Sequence, residues 1–440
     1  MERKIDEYLK GWKNSPTRKP LIVKGARQVG KTYSVLTFGK KEYKNVAYVN
    51  LESSSGSKRI FEGDLNADKI IGGITAVTGE SVSEGDTLIV LDEVQRSERA
   101  LTSLKYLQEE APEYHIIATG SLLGMALDRK EYSFPVGKVD LKTMHPMDME
   151  EFLWATGNRE LSNMISESFA DASPMPLHEK AMDLYRTYLA VGGMPEAVSE
   201  FIQTKDHDFV VSVQNRLNES YISDVAKYST AQETVRTIKV WSSLPSQLAR
   251  ENKKFQYRSV GKGARSKDYS GSIAWLEAAG MVNVCMRVEE GRLPLNIYED
   301  NSSFKIYVVD TGLLTSRYGV PFNRILHSEV SDELKSALSE NYVMQALVSN
   351  NIRPNYWSSQ GTAELDFAFQ DAHGNIIPVE VKSSDKVRSK SLSVFVSKYV
   401  VPYSVRISSK NMGFENNILS VPLYAAHCIK KEDTIKKYNP

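Results

Sequence analysis

The sequence predicts an α/β protein: a P-loop parallel-sheet domain first, then helices, then a second α/β domain. Three observations carry this. Gly25-Ala-Arg-Gln-Val-Gly-Lys-Thr32 fits the G-x-x-x-x-G-K-[ST] phosphate loop, after the apolar run 21–23 and before the helix-forming run 33–36. Apolar runs at 46–51, 87–91 and 115–118 alternate with helical stretches, the rhythm of a parallel sheet. Far downstream, 363–369 and 377–382 alternate as strands and carry acids and a lysine.

In order, residues 1–19 hold a short helix with Ile5, Tyr8, Leu9 and Trp12 on one side, closed by the turn Asn14-Ser15-Pro16. The phosphate-loop strand and helix follow. Glycines at both ends of the loop let successive N–H groups point at one phosphate chain. The helix beginning near Gly30 adds its positive end to the same site. The expected nucleotide-binding residues are Gly25, Ala26, Arg27, Gln28, Val29, Gly30, Lys31, Thr32 and Tyr33. Lys31 is placed to reach the β- and γ-phosphates, and the Thr32 hydroxyl to ligate Mg²⁺. ATP and Mg²⁺ are therefore the expected cofactors.

The run Thr87–Leu91 ends in Asp92-Glu93. An acid at the end of a buried strand beside such a loop can hold Mg²⁺ through water, and a second acid can polarise the attacking water. Asp92 takes the metal role and Glu93 the base. Thr119 and Ser121 end the next strand, either as sensors of the γ-phosphate or water, or as an ordinary turn.

Composition narrows the rest. With 440 residues the chain is too long for one core. Its 41% hydrophobic and 25% charged content is that of a soluble globular protein. Lys+Arg and Asp+Glu are equal at 55 each, so net charge does not advertise nucleic acid. Two distant cysteines, Cys285 and Cys428, argue for a reducing compartment and against a zinc site. The start lacks an apolar signal core and nowhere do 18 apolar residues run together, so a cytoplasmic protein without a membrane partner is expected.

The segments 25–32, Leu91-Asp-Glu-Val-Gln-Arg96 and Ala118-Thr-Gly-Ser-Leu-Leu-Gly124 resemble one family of bacterial and archaeal AAA-type ATPases. These carry an uncharacterised C-terminal domain related to restriction-endonuclease-like folds. The resemblance continues through 141–153, 188–196 and 304–314, nearly the whole chain. Where it implies Gly-Arg, this chain has Gly137-Lys138. Lysine cannot reproduce an arginine fork, so no arginine finger is assigned there.

The expected divisions are 1–150, the ATPase domain; 151–228, a helical lid or connector; 229–300, a winged-helix-like domain; and 301–440, the restriction-endonuclease-like domain. Gly192-Gly193-Met194-Pro195 reads as a hinge or a plain helix–helix turn. In the third division a helix-rich run, 237–248, precedes the basic stretch 253–258; Lys262, Arg265 and Lys267 lead into 269–280 and the strand 281–288, and helices followed by a short hairpin suggest a winged helix. Those basic residues suit either DNA phosphates or a rigid connector.

The downstream strands share the turn Asp371–Asn375. Residues i and i+2 face one side of a strand, so Glu364 pairs with Asp366 and Glu380 with Lys382. A hairpin bringing Asp366 beside Glu380 offers two carboxylates for a divalent cation, with Lys382 to stabilise charge or deprotonate water. This spelling resembles the PD-(D/E)xK nuclease core, and Glu340 is similar to the helical acid that often completes it. Lys386, Arg388, Lys390, Lys398, Arg406 and Lys410 add a basic excess suited to a phosphate backbone. Cross-strand ion pairs of an ordinary sheet would leave the same pattern.

Two functions follow. One is a Mg²⁺-dependent ATPase whose nucleotide cycle repositions a nuclease-like domain on DNA or RNA. The alternative is a regulatory or assembly ATPase, self-associating or binding a partner through a catalytically inactive C-terminal domain.

Overall fold

The computed structural model describes residues 1–53, 55–121, 135, 137–359, 363–383 and 390–432. The expected segments at 122–124 and the basic Lys386 and Arg388 lie outside these. The chain divides into two compact units, Met1–His145 with Ala278–Gly280, and Pro146–Glu277 with Met281–Pro440.

In the first unit, α1 (Lys4–Lys13) precedes β1 (Leu21–Lys24), α2 (Lys31–Glu42) and β2 (Asn45–Asn50). Then come α3 (Ser55–Arg59), α4 (Ala67–Thr78), β3 (Thr87–Asp92), α5 (Glu98–Glu110), β4 (His115–Gly120) and β5 (Asp140–Thr143). The five strands are all parallel, in the order β2-β3-β4-β1-β5. Burial on both faces explains the unbroken apolar runs of β3 and β4. Ile22, Ile89, Leu91, Ile116 and Ala118 face one core with Ile70, Ile74, Leu104 and Leu107 of α4 and α5. α2 lies so close to the sheet that a Cβ at Gly39 would overlap the Val46 and Leu88 side chains. The edge strand β5 escapes a hydrophobicity reading because none of its four residues is buried.

The second unit opens with helices Met149–Ala155, Arg159–Asp171, His178–Val191, Pro195–Thr204, His207–Tyr228 and Ala231–Leu248, so the division 151–228 is helical as expected. Its eight-stranded sheet contains β6 (Val282–Val288), β7 (Glu299–Val308), β8 (Asn355–Ser359), β9 (Ala363–Gln370), β10 (Ile376–Val381), β11 (Ser404–Ser408), β12 (Gly413–Glu415) and β13 (Ile418–Pro422). Their order is β12-β13-β11-β10-β9-β8-β6-β7. The expected boundary between 229–300 and 301–440 therefore fails, because it cuts β7. The hairpin that suggests a wing is β6–β7, and β6 is also hydrogen-bonded to β8. It is the margin of the C-terminal sheet.

The Gly192–Pro195 cluster is a packed joint. Gly192 caps the helix His178–Val191, and Pro195 starts the next at its first position, where no N–H is needed. Gly193 N–H donates to Asp310 Oδ2 at 2.6 Å, while its carbonyl accepts from Met147 N–H at 2.7 Å. Asp310 is fully buried; burial pushes its carboxyl up to about 6, against backbone donation from Gly193 and Leu313. A Cβ at Gly193 would overlap the Met147 carbonyl. Gly193→Ala is expected to destabilise the protein by at least about 2 kcal/mol in urea unfolding, since the obstacle is backbone. Gly72→Ala, in α4 with open space around it, is expected to be neutral or stabilising by roughly 0.5–1 kcal/mol.

Candidate functional site

The phosphate loop joins β1 to α2 and its backbone requires its glycines. Gly25 has φ +150° and Gly30 φ +95°, and Gln28 also enters the left-handed region at +63°. A side chain at Gly25 would strike the Met144 carbonyl. Ala26 and Val29 are buried and support the loop from within, whereas Arg27, Gln28 and Tyr33 lie on its outer side, Tyr33 being 65% exposed. Lys31 folds back over the loop, donating to the carbonyls of Gly25 (3.0 Å) and Ala26 (2.7 Å). Burial lowers its ammonium to about 8, with Glu93 and Asp92 opposing the shift.

Strand order brings the acids to this loop. β4 lies between β1 and β3, and its Thr119 pairs in register with Val23 of β1. Asp92, the last residue of β3, is buried, and three hydroxyls converge on its carboxylate. Thr32 donates to Oδ1 at 2.9 Å, Thr119 donates to the same oxygen, and Tyr48 of β2 donates to Oδ2 at 2.7 Å. Burial and then the bond to Asp92 push the Tyr48 phenol up to about 12. Asn50 donates in turn to Tyr48 at 3.1 Å.

Glu93 sits at φ +54°, a conformation uncommon for a side chain of this kind, and accepts a hydrogen bond from Gln95. Ser121 follows β4, half-buried. Lys138 forms an ion pair with Glu109 at 2.8 Å.

Residues 17–153 match the model of an AAA domain. This stretch is an AAA-type P-loop domain. Residues 182–323 and 335–425 match two further models, both described as domains of unknown function (DUF8612 and DUF4143). No curated protein matches the chain. Solved structures similar to it include a Walker-type ATPase of Pyrococcus abyssi, 14% identical over 72% of this chain and 95% of that one, with TM-score 0.45. Another is the ORC2 protein of Aeropyrum pernix in ADPNP–ADP complexes, 10% identical over 74% and 94%, with TM-score 0.35. Likenesses at these scores carry no argument about function.

The AAA domain's donor set suits Mg²⁺. Thr32 and Asp92 offer hard oxygens side by side, and this ion is usually held by one or two carboxylates together with substrate phosphates. Among the described residues no group of three or more His, Cys, Asp or Glu side chains could hold a metal unaided.

In the second unit, β9 and β10 pair antiparallel with Phe367 opposite Val379, so the next step sets Asp366 opposite Glu380. The turn between them is built by Asp371, whose Oδ1 accepts from the N–H groups of His373 (2.9 Å) and Asn375 (2.7 Å). Asp366 accepts from Val381 N–H at 2.8 Å. Burial, then Glu340 and Glu380, raise its carboxyl well above the ordinary range. Glu380 Oε1 pairs with Lys382 at 2.7 Å, and its buried Oε2 has no hydrogen-bond partner among the described residues.

Two further lysines, unforeseen as parts of this cluster, complete it. Lys305 of β7, 1% exposed, stands 2.7 Å from Glu364 and 4.0 Å from Glu340. Lys253 donates to Glu340 at 2.6 Å and to Ser336 at 2.8 Å. Tyr307 and Ser336 also donate to Glu340, at 3.2 and 3.1 Å. The carboxylate expected to complete a metal site is thus engaged by protein donors. Lys253, expected among the DNA-facing basic residues, is buried in this ion pair, whereas Lys262, Arg265 and Lys267 are exposed.

The Lys31 geometry predicts a protonation change. Nucleotide phosphates brought against Lys31 favour its charged form, so binding takes up a proton where the free protein has largely lost it. Calorimetric titration of ADP at pH 9 in buffers of different ionisation heat is expected to show uptake approaching one proton, and little at pH 6.5. Affinity should correspondingly fall as pH rises through 8. Buffer-independent heats at pH 9 would contradict this.

Proposed function

We propose that the protein is a Mg²⁺-dependent ATPase whose nucleotide cycle repositions its C-terminal domain. The observation that carries this is the direct hydrogen bond from Thr32 to Asp92 beside the phosphate loop. The loop, Lys31 and the N-terminus of α2 would hold the β- and γ-phosphates of ATP. Thr32 and Asp92 would hold Mg²⁺, which when bound would neutralise phosphate charge. Glu93, held by Gln95, orients and activates the attacking water. Thr119 holds Asp92 in place, and Ser121 takes the role of sensing the γ-phosphate or the attacking water.

On this reading, Asp366 and Glu380 hold a second divalent cation, Lys382 steadies developing charge, and Glu340 assists from its helix. DNA or RNA is the substrate. What supports it is the adjacency of Asp366 and Glu380 across the hairpin and the unpartnered Glu380 oxygen. A second reading also has an observation in its favour: Lys253, Lys305 and Lys382 already pair with Glu340, Glu364 and Glu380. A cluster neutralised from within has less need of metal, which suits a domain that binds a partner or a second copy without cleaving.

Lys31→Ala is expected to reduce ATP turnover at least about 100-fold, and Glu93→Gln by about 10²–10⁴-fold while retaining nucleotide binding. Unchanged turnover in Lys31→Ala would end the ATPase reading. In a cleavage assay with Mg²⁺ or Mn²⁺, the nuclease reading expects activity that Asp366→Ala abolishes. Activity unaltered by that change would assign cleavage elsewhere, and no cleavage by the wild type favours the partner-binding reading. Nucleic-acid affinity should also fall by orders of magnitude between about 50 and 200 mM salt if several phosphates are contacted.

A further inference from the structure

Arg3 is an unexpected neighbour of the phosphate loop. It precedes α1, whose Ile5, Leu9 and Trp12 are buried against the first unit. Its backbone is fixed there by two hydrogen bonds with Asp6, whose N–H donates to the Arg3 carbonyl at 3.0 Å and whose Oδ2 accepts from Arg3 N–H at 3.3 Å. Arg3 is 7% exposed, and the two terminal nitrogens of its guanidinium diverge to two carbonyls distant in sequence. Nη1 donates to Val29 at 2.9 Å, and Nη2 to His145 at 2.8 Å.

Those carbonyls belong to segments already in register. Val29 is the residue before the glycine that opens α2. His145 follows Met144, whose N–H donates to the Lys24 carbonyl at 2.7 Å and whose own carbonyl crowds Gly25. The segment 144–145 therefore touches the loop at its beginning and is tied through Arg3 to its end. His145 is also where the first unit's main stretch ends; Pro146 begins the second. Any shift of the loop carbonyls on taking up phosphate must move this guanidinium, the His145 carbonyl, or both.

We propose that Arg3 is a positioning residue that couples the phosphate loop to the outgoing segment Met144–His145. This rests on the loop binding nucleotide, as proposed above. Two donors on one rigid plane are needed because a single movable ammonium cannot span both carbonyls with the same geometry. The cation also stands behind the loop, on the carbonyl side, and adds to the field that attracts an anion in front of it.

Hydrogen exchange of the peptide spanning 141–149, with and without Mg²⁺–ADP, tests this alongside calorimetric titration of the same nucleotide. The wild-type protein is expected to exchange more slowly across 144–145 when nucleotide is bound. Arg3→Lys is expected to retain saturable binding, weakened by about tenfold, but to lose the nucleotide-dependent change at 144–145. A merely structural arginine would leave that dependence intact in the lysine variant. The proposal is overturned if wild-type exchange at 144–145 ignores bound nucleotide, or if Arg3→Lys responds as the wild type does. The wild-type arm decides even where a variant fails to fold. Absence of nucleotide binding by the wild type would instead remove the ATPase reading beneath it.

Discussion

Three hydroxyls donate to one buried carboxylate at the end of β3, and the nucleotide site depends on that convergence. Thr32 arrives on α2, Thr119 on β4 and Tyr48 on β2, so Asp92 ties three separate elements into one rim. A buried carboxylate without such donors would carry a large desolvation cost. Here its lone pairs are spent on groups that also define where a cation and a phosphate chain can lie. The parallel sheet makes this possible because every strand delivers its C-terminal end to the same edge.

The second unit uses buried polar groups differently. Asp310, Gly193, Gln345 and Tyr188 form a linked set: Gln345 accepts from Thr311 N–H and donates to Tyr188, which donates to the Met147 carbonyl. Asn341 likewise accepts from Val308 N–H and donates to its carbonyl. Such groups hold a helical layer and a sheet in one register, because each partner lost leaves a buried polar atom unpaired. The Gly192–Pro195 cluster belongs to this set, so its glycines provide close approach.

Legibility in the sequence followed the range of the interaction. The phosphate loop and its glycines could be read because seven consecutive peptide units create the anion site locally. Asp92 could be read because an apolar run ending in acids beside such a loop has a chemical purpose. The Asp366–Glu380 adjacency followed from one hairpin turn and the two-residue period of strands. Arg3 could not be read: its partners lie 26 and 142 residues away. Tyr48 looked like another residue of a buried strand, since nothing in its neighbourhood says β2 adjoins β3. Lys253 and Glu340 are 87 residues apart, so a local count of basic residues treated that lysine as available for phosphate. The β6–β7 hairpin suggests a wing for the same reason, since its pairing with β8 is distant in sequence.

On the proposed function, Asp92 with Thr32 completes a Mg²⁺–nucleotide site in the first unit. Equilibrium titration of a fluorescent ATP analogue with and without Mg²⁺, in the wild type and Asp92→Asn, tests it most directly. Saturable wild-type binding is expected, strengthened about tenfold or more by Mg²⁺, together with an Asp92→Asn protein that has lost most of that strengthening. Wild-type binding that ignores Mg²⁺, or an unaltered Mg²⁺ dependence in Asp92→Asn, would contradict it.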